Sequence, residues 1–450
     1  MHLNRWKQIL KIAWPLIIAN SFWNLQLTID RMFLGQFSTE ALGAAMAVMG
    51  VFWVPMALLQ GTCSYVTTFV AQYTGANEKE KISEVTWHAF VIAIFGGLIF
   101  LLQNLCSQWF FQLINHPTSV QKLEVEYFNS VAYSALPTAL VAVVSGFYTG
   151  LGQTQKIITI NFVGLILNAL LDYLLIFGNW GFPQMGVAGA GYATAIATYG
   201  AAIIGIYMLI VDQKNQQFNF KLWIKFNYPL FVNYIKYGLP SGLQWALEGL
   251  AFTVFLIIMG RLHNGEVALA SSSIAVTVMM LSVLPSMGVA QAVMSLVGQN
   301  LGENKPDNAE HATWSGVQVS LIYMTCVATS FIFIPEFYLS WFANQENAHL
   351  WLEVSHVVPQ LLKLVAVFTI LDSLYLNISF ALKGAGDTKF VSLIALITPW
   401  PIMVLPTYLI KEWSNAVVWS WGFAALYSLT IVVLLLIRFK KGLWKKMRVI

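Results

Sequence analysis

The chain has 450 residues, of which 58% are hydrophobic and only 10% charged, whereas a typical soluble domain carries about 25% charged residues. That is too little charge to cover a soluble surface of this size, so the composition excludes a soluble globular protein and leaves lipid as the covering. The net charge of +4 comes from basic residues scattered over short loops and the C-terminus; without a basic face interleaved with aromatics, nucleic acid is excluded as a partner.

A bilayer core is crossed by about 20 apolar residues in a helix. Runs of that kind lie at 14–36, 44–73, 85–107, 128–150, 157–179, 187–211, 234–260, 267–300, 312–334, 357–383, 389–411 and 416–438. The expected fold is therefore an all-α polytopic membrane protein with about 12 transmembrane helices. The first run starts near Ile12, has no small-residue cleavage site and is long enough to span, so it is expected to stay with the chain rather than act as a signal peptide. It carries Asn20, Trp23, Asn24, Gln26 and Asp30. The second run closes with Ala71-Gln-Tyr-Thr-Gly75, and Gly150-Leu-Gly-Gln-Thr154 follows the fourth. The fifth holds Asn161, Asn168 and Asp172, the last two one helical turn apart on one face. Gly186-Val-Ala-Gly-Ala-Gly-Tyr-Ala-Thr194 opens the sixth.

Between the sixth and seventh runs, residues 212–233 hold Lys214, Lys221 and Lys225 among Trp223, Phe226 and Tyr228, the pattern of an interfacial cytoplasmic linker. The seventh run has Pro240, Gln244, Trp245, Glu248, Phe252 and Phe255, and the eighth closes with Gly298-Gln-Asn-Leu-Gly302. The tenth carries Asp372, Tyr375 and Asn377 and ends at Lys383-Gly-Ala-Gly-Asp-Thr388. A short basic tail ends the chain. Cys63, Cys106 and Cys326 sit far apart in apolar runs and read as small buried residues, and the 7 histidines form no HxxxH or HxH pair. No metal site or clustered nucleophile is expected, so the protein does not read as an enzyme.

The two halves match in order. Pro15 and Pro240 open helices that end at Gly35 and Gly260, Gln72 and Gly75 match Gln299 and Gly302, and Gly150 matches Gly384. Duplication predicts an N-lobe (1–211) and a C-lobe (234–450) of six helices each, pseudo-symmetric about an axis along the membrane normal, with a cavity between them. The Gly-x-Gly pairs read as tight turns, because no strand precedes them to build a nucleotide cradle. With a cytoplasmic N-terminus, 19 Lys and Arg fall on the cytoplasmic side and 5 on the other, which puts both termini in the cytoplasm.

Asp30, Asp172, Glu248 and Asp372 fall inside apolar runs, where a lone carboxylate costs about 2.5 kcal/mol or more. At the local offsets they align with Phe255, Pro406, Trp23 and Thr138, so the scaffold is duplicated and the acids are not. Each lobe has its own pair. Asp30, Asn168 and Asp172 offer hard oxygen ligands for a proton relay or for Na⁺, and the sequence does not separate these. Glu248 and Asp372 share helices with Trp245, Phe252, Phe255 and Tyr375, which could hold a cation against aromatic faces.

These motifs resemble the multidrug and toxic compound extrusion (MATE) transporters over essentially the whole chain. Asp30-Arg-Met-Phe-Leu-Gly35, the 71–75 and 168–172 segments, the glycine-rich 186–194 segment, Glu248 eight residues after Pro240, and Asp372 eleven before Lys383-Gly carry the resemblance. It implies export of amphipathic organic cations, drugs or dyes, in exchange for H⁺ or Na⁺, by a multi-pass monomer of the inner (plasma) membrane with no further cofactor. It also implies ion coupling at Asp30, Asn168, Asp172 and Thr194, with Glu248 and Asp372 as the acids of the NorM-like branch. Asp30, Glu248, Asp372, Trp245, Phe255 and Tyr375 are the expected substrate contacts. A lipid-linked precursor flippase of the same superfamily is the alternative. It calls for a cationic cavity, and Arg and Lys stand only towards the ends of the spans. A major-facilitator carrier is disfavoured because its basic Gly-x-x-x-Asp-Arg loop is missing.

Overall fold

Backbone inside hydrocarbon finds no water, so each apolar run must close its hydrogen bonds on itself. The computed structural model describes residues 2–114, 117–216, 226–342 and 348–450. Its long elements are α1 (His2–Phe37), α2 (Thr39–Gly75), α3 (Lys79–Leu105), α4 (Thr118–Gly150), α5 (Gln155–Phe177) and α6 (Gly186–Gln216) in the first half. The second half has α7 (Tyr228–Met259), α8 (Gly265–Gly302), α9 (Pro306–Phe333), α10 (Ala348–Ala385), α11 (Thr388–Leu409) and α12 (Ala416–Lys440). Among the described residues there is no strand. By length and composition, 11 of these helices, α2 to α12, can cross a membrane. The count is one below the twelve expected, because Asn20, Asn24, Gln26 and Asp30 interrupt the apolar run of α1 although its 36 residues are ample in length. Of the expected linker, residues 217–225, with Lys221, Trp223 and Lys225, lie outside the described residues, as does the side chain of Lys214.

Prolines stand inside α1, α2, α7, α8 and α10, which membrane helices tolerate when neighbours bond the freed backbone groups. In α2 the regular helix breaks at Tyr65, and the Tyr234 hydroxyl from α7 reaches the carbonyls of Thr62 and Cys63, 2.9 Å each. In α11 the turn Trp400–Val404 widens to a π-helix, beside Pro399 and around Pro401, neither of which can donate a hydrogen bond.

The chain gathers into two compact units. The N-unit holds Pro15–Ala246, Gly298–Asn304 and Arg448–Ile450. Leu34, Val48, Phe52, Phe100, Phe128 and Ile176 belong to its core. Asn161 Nδ2 donates to the Ala19 carbonyl at 3.1 Å and ties α5 to α1. Lys156 pairs with Asp212, which also accepts the Tyr148 hydroxyl at 2.7 Å. The ends of α2 and α8 cross main chain to main chain: a Cβ on Gly75 would lie 2.0 Å from the Gln299 carbonyl oxygen, and one on Gly302 2.1 Å from that of Gln72. Only residues without a side chain fit there. Cys63 is buried, as expected, whereas Cys106 and Cys326 are exposed.

The C-unit holds Met1–Trp14, Leu247–Val297 and Lys305–Met447. Met259, Val358, Leu361 and Trp421 belong to its core. Arg438 grips Asp387 with Nε at 2.6 Å and Nη2 at 3.2 Å, its guanidinium 4.9 Å over the Phe390 ring. Lys383 is only 2% exposed, with Nζ 4.9 Å over the Phe380 ring. The sequence placed it as a flanking residue. The fold buries it in the last turn of α10.

Candidate functional site

Three helices of the N-unit bring the expected polar residues together. Asp30 comes from α1, Asn168 and Asp172 from one face of α5, and Thr194 from the third turn of α6. The Thr194 hydroxyl lies 3.0 Å from the Ala190 carbonyl and 3.4 Å from Asp30 Oδ2, so its one proton serves either acceptor. It accepts from Asn168 Nδ2 at 3.4 Å. Asp172 neighbours Asp30. Asn168 and Asp172 are wholly buried and Asp30 is 6% exposed. Asp30 Oδ1, Asn168 Oδ1 and both carboxylate oxygens of Asp172 accept no hydrogen bond from a donor group, and the Asp172 carboxyl lies against that of Asp30, where the two can share a proton. Two adjacent buried carboxylates repel each other unless a proton or a cation sits with them. Four oxygens without a donor suit either guest, because a proton turns an acceptor into a donor and a hard cation takes oxygen ligands.

Asp30 and Thr194 also line a cleft of about 520 Å³, its open mouth included. Trp23 from α1, Trp53 and Met56 from α2 and Tyr127 from α4 form its apolar wall, and Tyr127 neighbours both Asp30 and Asp172. The sequence reading missed these wall residues. Their signal was present as helical spacing: Trp23, Gln26 and Asp30 stand at i, i+3 and i+7, and Met49, Phe52, Trp53, Met56 and Gln60 follow one face of α2. A polar residue on each apolar stripe separates a cavity wall from a lipid face.

In the C-unit, the Tyr375 hydroxyl donates to Glu248 Oε1, joining α10 to α7. Asp372, 9% exposed, has Glu248 as its charged neighbour, and Tyr427 from α12 neighbours both acids. Asn377 does not join them. It donates to Ser320 Oγ at 2.9 Å and to the Ser373 carbonyl at 2.7 Å, because five residues turn it well away from Asp372 on the helix. Phe255 corrects an expectation. It is wholly buried in the core, 5.8 Å from Phe252 and 6.0 Å edge-on to Trp421, so it packs the unit and meets no open surface. Trp245 belongs to the N-unit and is partly buried.

The sequence profile named MatE matches residues 15–174 and again residues 240–409. The chain belongs to the MatE family. One profile matching twice, the second match starting 225 residues after the first (residue 15, then 240), makes the two halves of this MatE chain copies of one unit. Among its relatives, the probable multidrug resistance protein NorM of Thermotoga maritima is 25% identical over 448 residues, 99% of this chain and 94% of that protein. The probable multidrug resistance protein NorM of Oceanobacillus iheyensis is 26% identical over 417 residues, 91% and 90% of the two chains. The crystal structure of MATE in complex with MaL6 superimposes with a TM-score of 0.88 at 20% identity, covering 98% of each chain. An outward-facing multidrug resistance MATE family transporter of the MOP superfamily gives 0.88 at 19% identity, covering 98% and 97%. The fold is that of a MATE transporter, an all-α protein that crosses the membrane many times.

Proposed function

We propose that this MatE chain is a secondary active exporter that moves amphipathic organic cations out of the cell in exchange for H⁺ or Na⁺ by alternating access. The observation that carries the reading is the buried Asp30–Asp172 pair, with oxygens that no donor group meets, on the wall of a cleft lined by Trp23, Trp53, Met56 and Tyr127. Carboxylate charge and aromatic faces together suit a flat, positively charged guest. Relatives named multidrug resistance proteins support the same reading. Asp30, Asn168, Asp172 and Thr194 hold the coupling ion, which is exchanged and is no resident cofactor. Glu248, Asp372 and Tyr375 serve the guest in the C-unit.

The exchange follows from charge. Ionised carboxylates hold the organic cation in the inward-open state. In the outward-open state a proton or Na⁺ neutralises them, the guest loses its partner and leaves, and the neutral site resets. Only a difference in affinity between the two states drives this cycle. A membrane potential of 100 mV adds about 2.3 kcal/mol for each charge moved. The distribution of Lys and Arg, 19 against 5, supports a plasma-membrane protein with both termini in the cytoplasm. It works as a monomer of two repeats, 1–211 and 234–450, joined by 212–233.

A lipid-linked precursor flippase needs several cations around a pyrophosphate. The buried Lys383 has an acid, Glu248, for a neighbour and does not make such a cavity. The test is dye efflux from cells, followed by flux in proteoliposomes under imposed Na⁺ or H⁺ gradients. Asp30→Asn and Asp372→Asn should each abolish efflux while the protein remains folded. Normal export of a cationic dye by both variants overturns the proposal.

A further inference from the structure

The cleft of the N-unit has a length and two unlike ends. α1 and α2 are antiparallel neighbours joined at Ser38, so residues equally far from Ser38 along the chain stand at similar depth. Trp23 and Trp53 are each 15 positions from it, whereas Asp30 is 8 and Gln60 is 22. Asp30 therefore lies about 10 Å to one side of the tryptophan level and Gln60 about 10 Å to the other, at 1.5 Å per residue. All four line the cleft. Tyr127 and Thr138 of α4 line it too, 11 residues apart, so that wall runs about 16 Å. Helical side chains lean towards the N-terminus of their own helix. In antiparallel helices this tips Asp30 and Gln60 towards each other, across a gap that two aromatic rings in line would fill.

One end of this gap is an acid and the other a neutral amide. Gln60 is half-buried, and its Oε1 is buried and accepts no hydrogen bond from a donor group. A buried acceptor without a donor is costly, and a guest that brings the donor removes the cost. We propose that Gln60 determines specificity in this cleft by selecting elongated cations that carry an N–H or O–H donor at the end remote from their charge. The proposal rests on the exporter reading and adds to it the length and far-end chemistry of the guest. The cation sits by Asp30, its rings lie at the level of Trp23 and Trp53, and its far donor meets Gln60 Oε1. A cation of equal length that ends in an alkylated amine fills the same space and leaves Gln60 buried without a donor. Sites built to bond a polar group reject the analogue lacking it more strongly than lost contact area alone would.

The test compares the p-aminostyryl and p-dimethylaminostyryl dyes of N-methylpyridinium, which share charge and conjugated length and differ in the far-end donor. Their binding to purified protein is followed by fluorescence, and thermal unfolding shows that each variant is folded. Gln60→Met keeps the length of the side chain and removes its acceptor, so it should lower the affinity for the amino dye relative to the dimethylamino dye about tenfold. Gln60→Glu retains an acceptor and should retain the ratio. Gln26, 8% exposed, lines the same cleft from α1; Gln26→Leu should shift both affinities together and leave the ratio. The wild type supplies a second measurement that needs no variant. The p-aminophenyl and p-dimethylaminophenyl pyridinium dyes lack the vinyl link and fall short of Gln60, so the preference for the amino dye should vanish in that pair. A wild type that binds none of the four dyes overturns the exporter reading. A wild type that binds with one ratio for long and short pairs overturns this inference alone. So does a folded Gln60→Met with the ratio unchanged, a Gln60→Glu that loses it, or a Gln26→Leu that abolishes it.

Discussion

Asp172→Asn separates a working carboxylate from a structural one. Asp172 is wholly buried, and its carboxyl lies against that of Asp30 with no donor group on either of its oxygens. Asparagine keeps the volume, removes one of two adjacent negative charges and brings an amide donor beside Asp30. A hydrogen bond to an ionised carboxylate contributes about 1.5–3 kcal/mol, and relief of repulsion acts in the same direction. The variant should therefore be more stable than the wild type by about 2 kcal/mol in Na⁺-free buffer alkaline enough to leave both carboxyls ionised. It should also lose efflux. A coupling ion that binds only the folded wild type adds about 2.7 kcal/mol at a hundredfold excess over its Kd, and the variant should gain almost none of this. Thermal unfolding in detergent across a Na⁺ series and a pH series reads both effects, and dye efflux from cells reads the third. A variant less stable than the wild type in that alkaline buffer, or one that exports at the normal rate, would make Asp172 a helix–helix contact and refute the argument.

Three further outcomes follow from the geometry. Gly302→Ala drives a methyl group to 2.1 Å from a backbone oxygen that cannot move aside, at a cost of about 1–3 kcal/mol; Gly422→Ala, with nothing within 4 Å, is the control that should leave the melting temperature unchanged or raised. Asp387→Asn removes the carboxylate under Arg438, whose side chain is 23% exposed, so the loss should be about 2 kcal/mol, below that of a fully buried pair, measured by thermal unfolding. Trp53→Ala opens one wall of the cleft and should raise the KM for a polyaromatic cation by up to about tenfold, while Na⁺- or H⁺-dependent stabilisation of the protein stays as in the wild type. Loss of both together would show that the wall and the ion site act as one packed element.

Much of the fold was legible because lipid imposes a simple rule on composition: long apolar runs become helices. α1 escaped the count for the reason that makes it useful, since Asn24, Gln26 and Asp30 lower its hydropathy where it faces polar partners. The acids were legible as charges placed where charge is expensive, and Asn168 through its one-turn spacing from Asp172. What the spacing could not supply is which helix lies against which. Thr194 reaches Asp30 across 164 residues of chain, a contact that periodicity along one helix does not encode. Aromatic residues misled for a related reason. Phe255 and Trp53 both stand on apolar stripes, yet one fills a core and the other walls a cleft, and only the neighbours decide. Lys383 misled because a lysine near a helix end ordinarily reaches water. Here Gly384 lets α10 pack closely on α8, where a Cβ would stand 2.6 Å from the Met294 carbonyl, and the last turn is covered.

The contact between residues 72–75 and 299–302 has a further consequence. Gly75 meets the peptide of Gln299, and Gly302 meets the peptide of Gln72. That reciprocity is isologous, the relation by which two identical chains bind about a twofold axis. The same glutamine and glycine of each repeat thus make one peptide-to-peptide contact with those of the other. Because that contact joins peptide to peptide, side chains around it were free to diverge, so that Tyr73-Thr74 in one copy stands as Asn300-Leu301 in the other while glutamine and glycine remain in both.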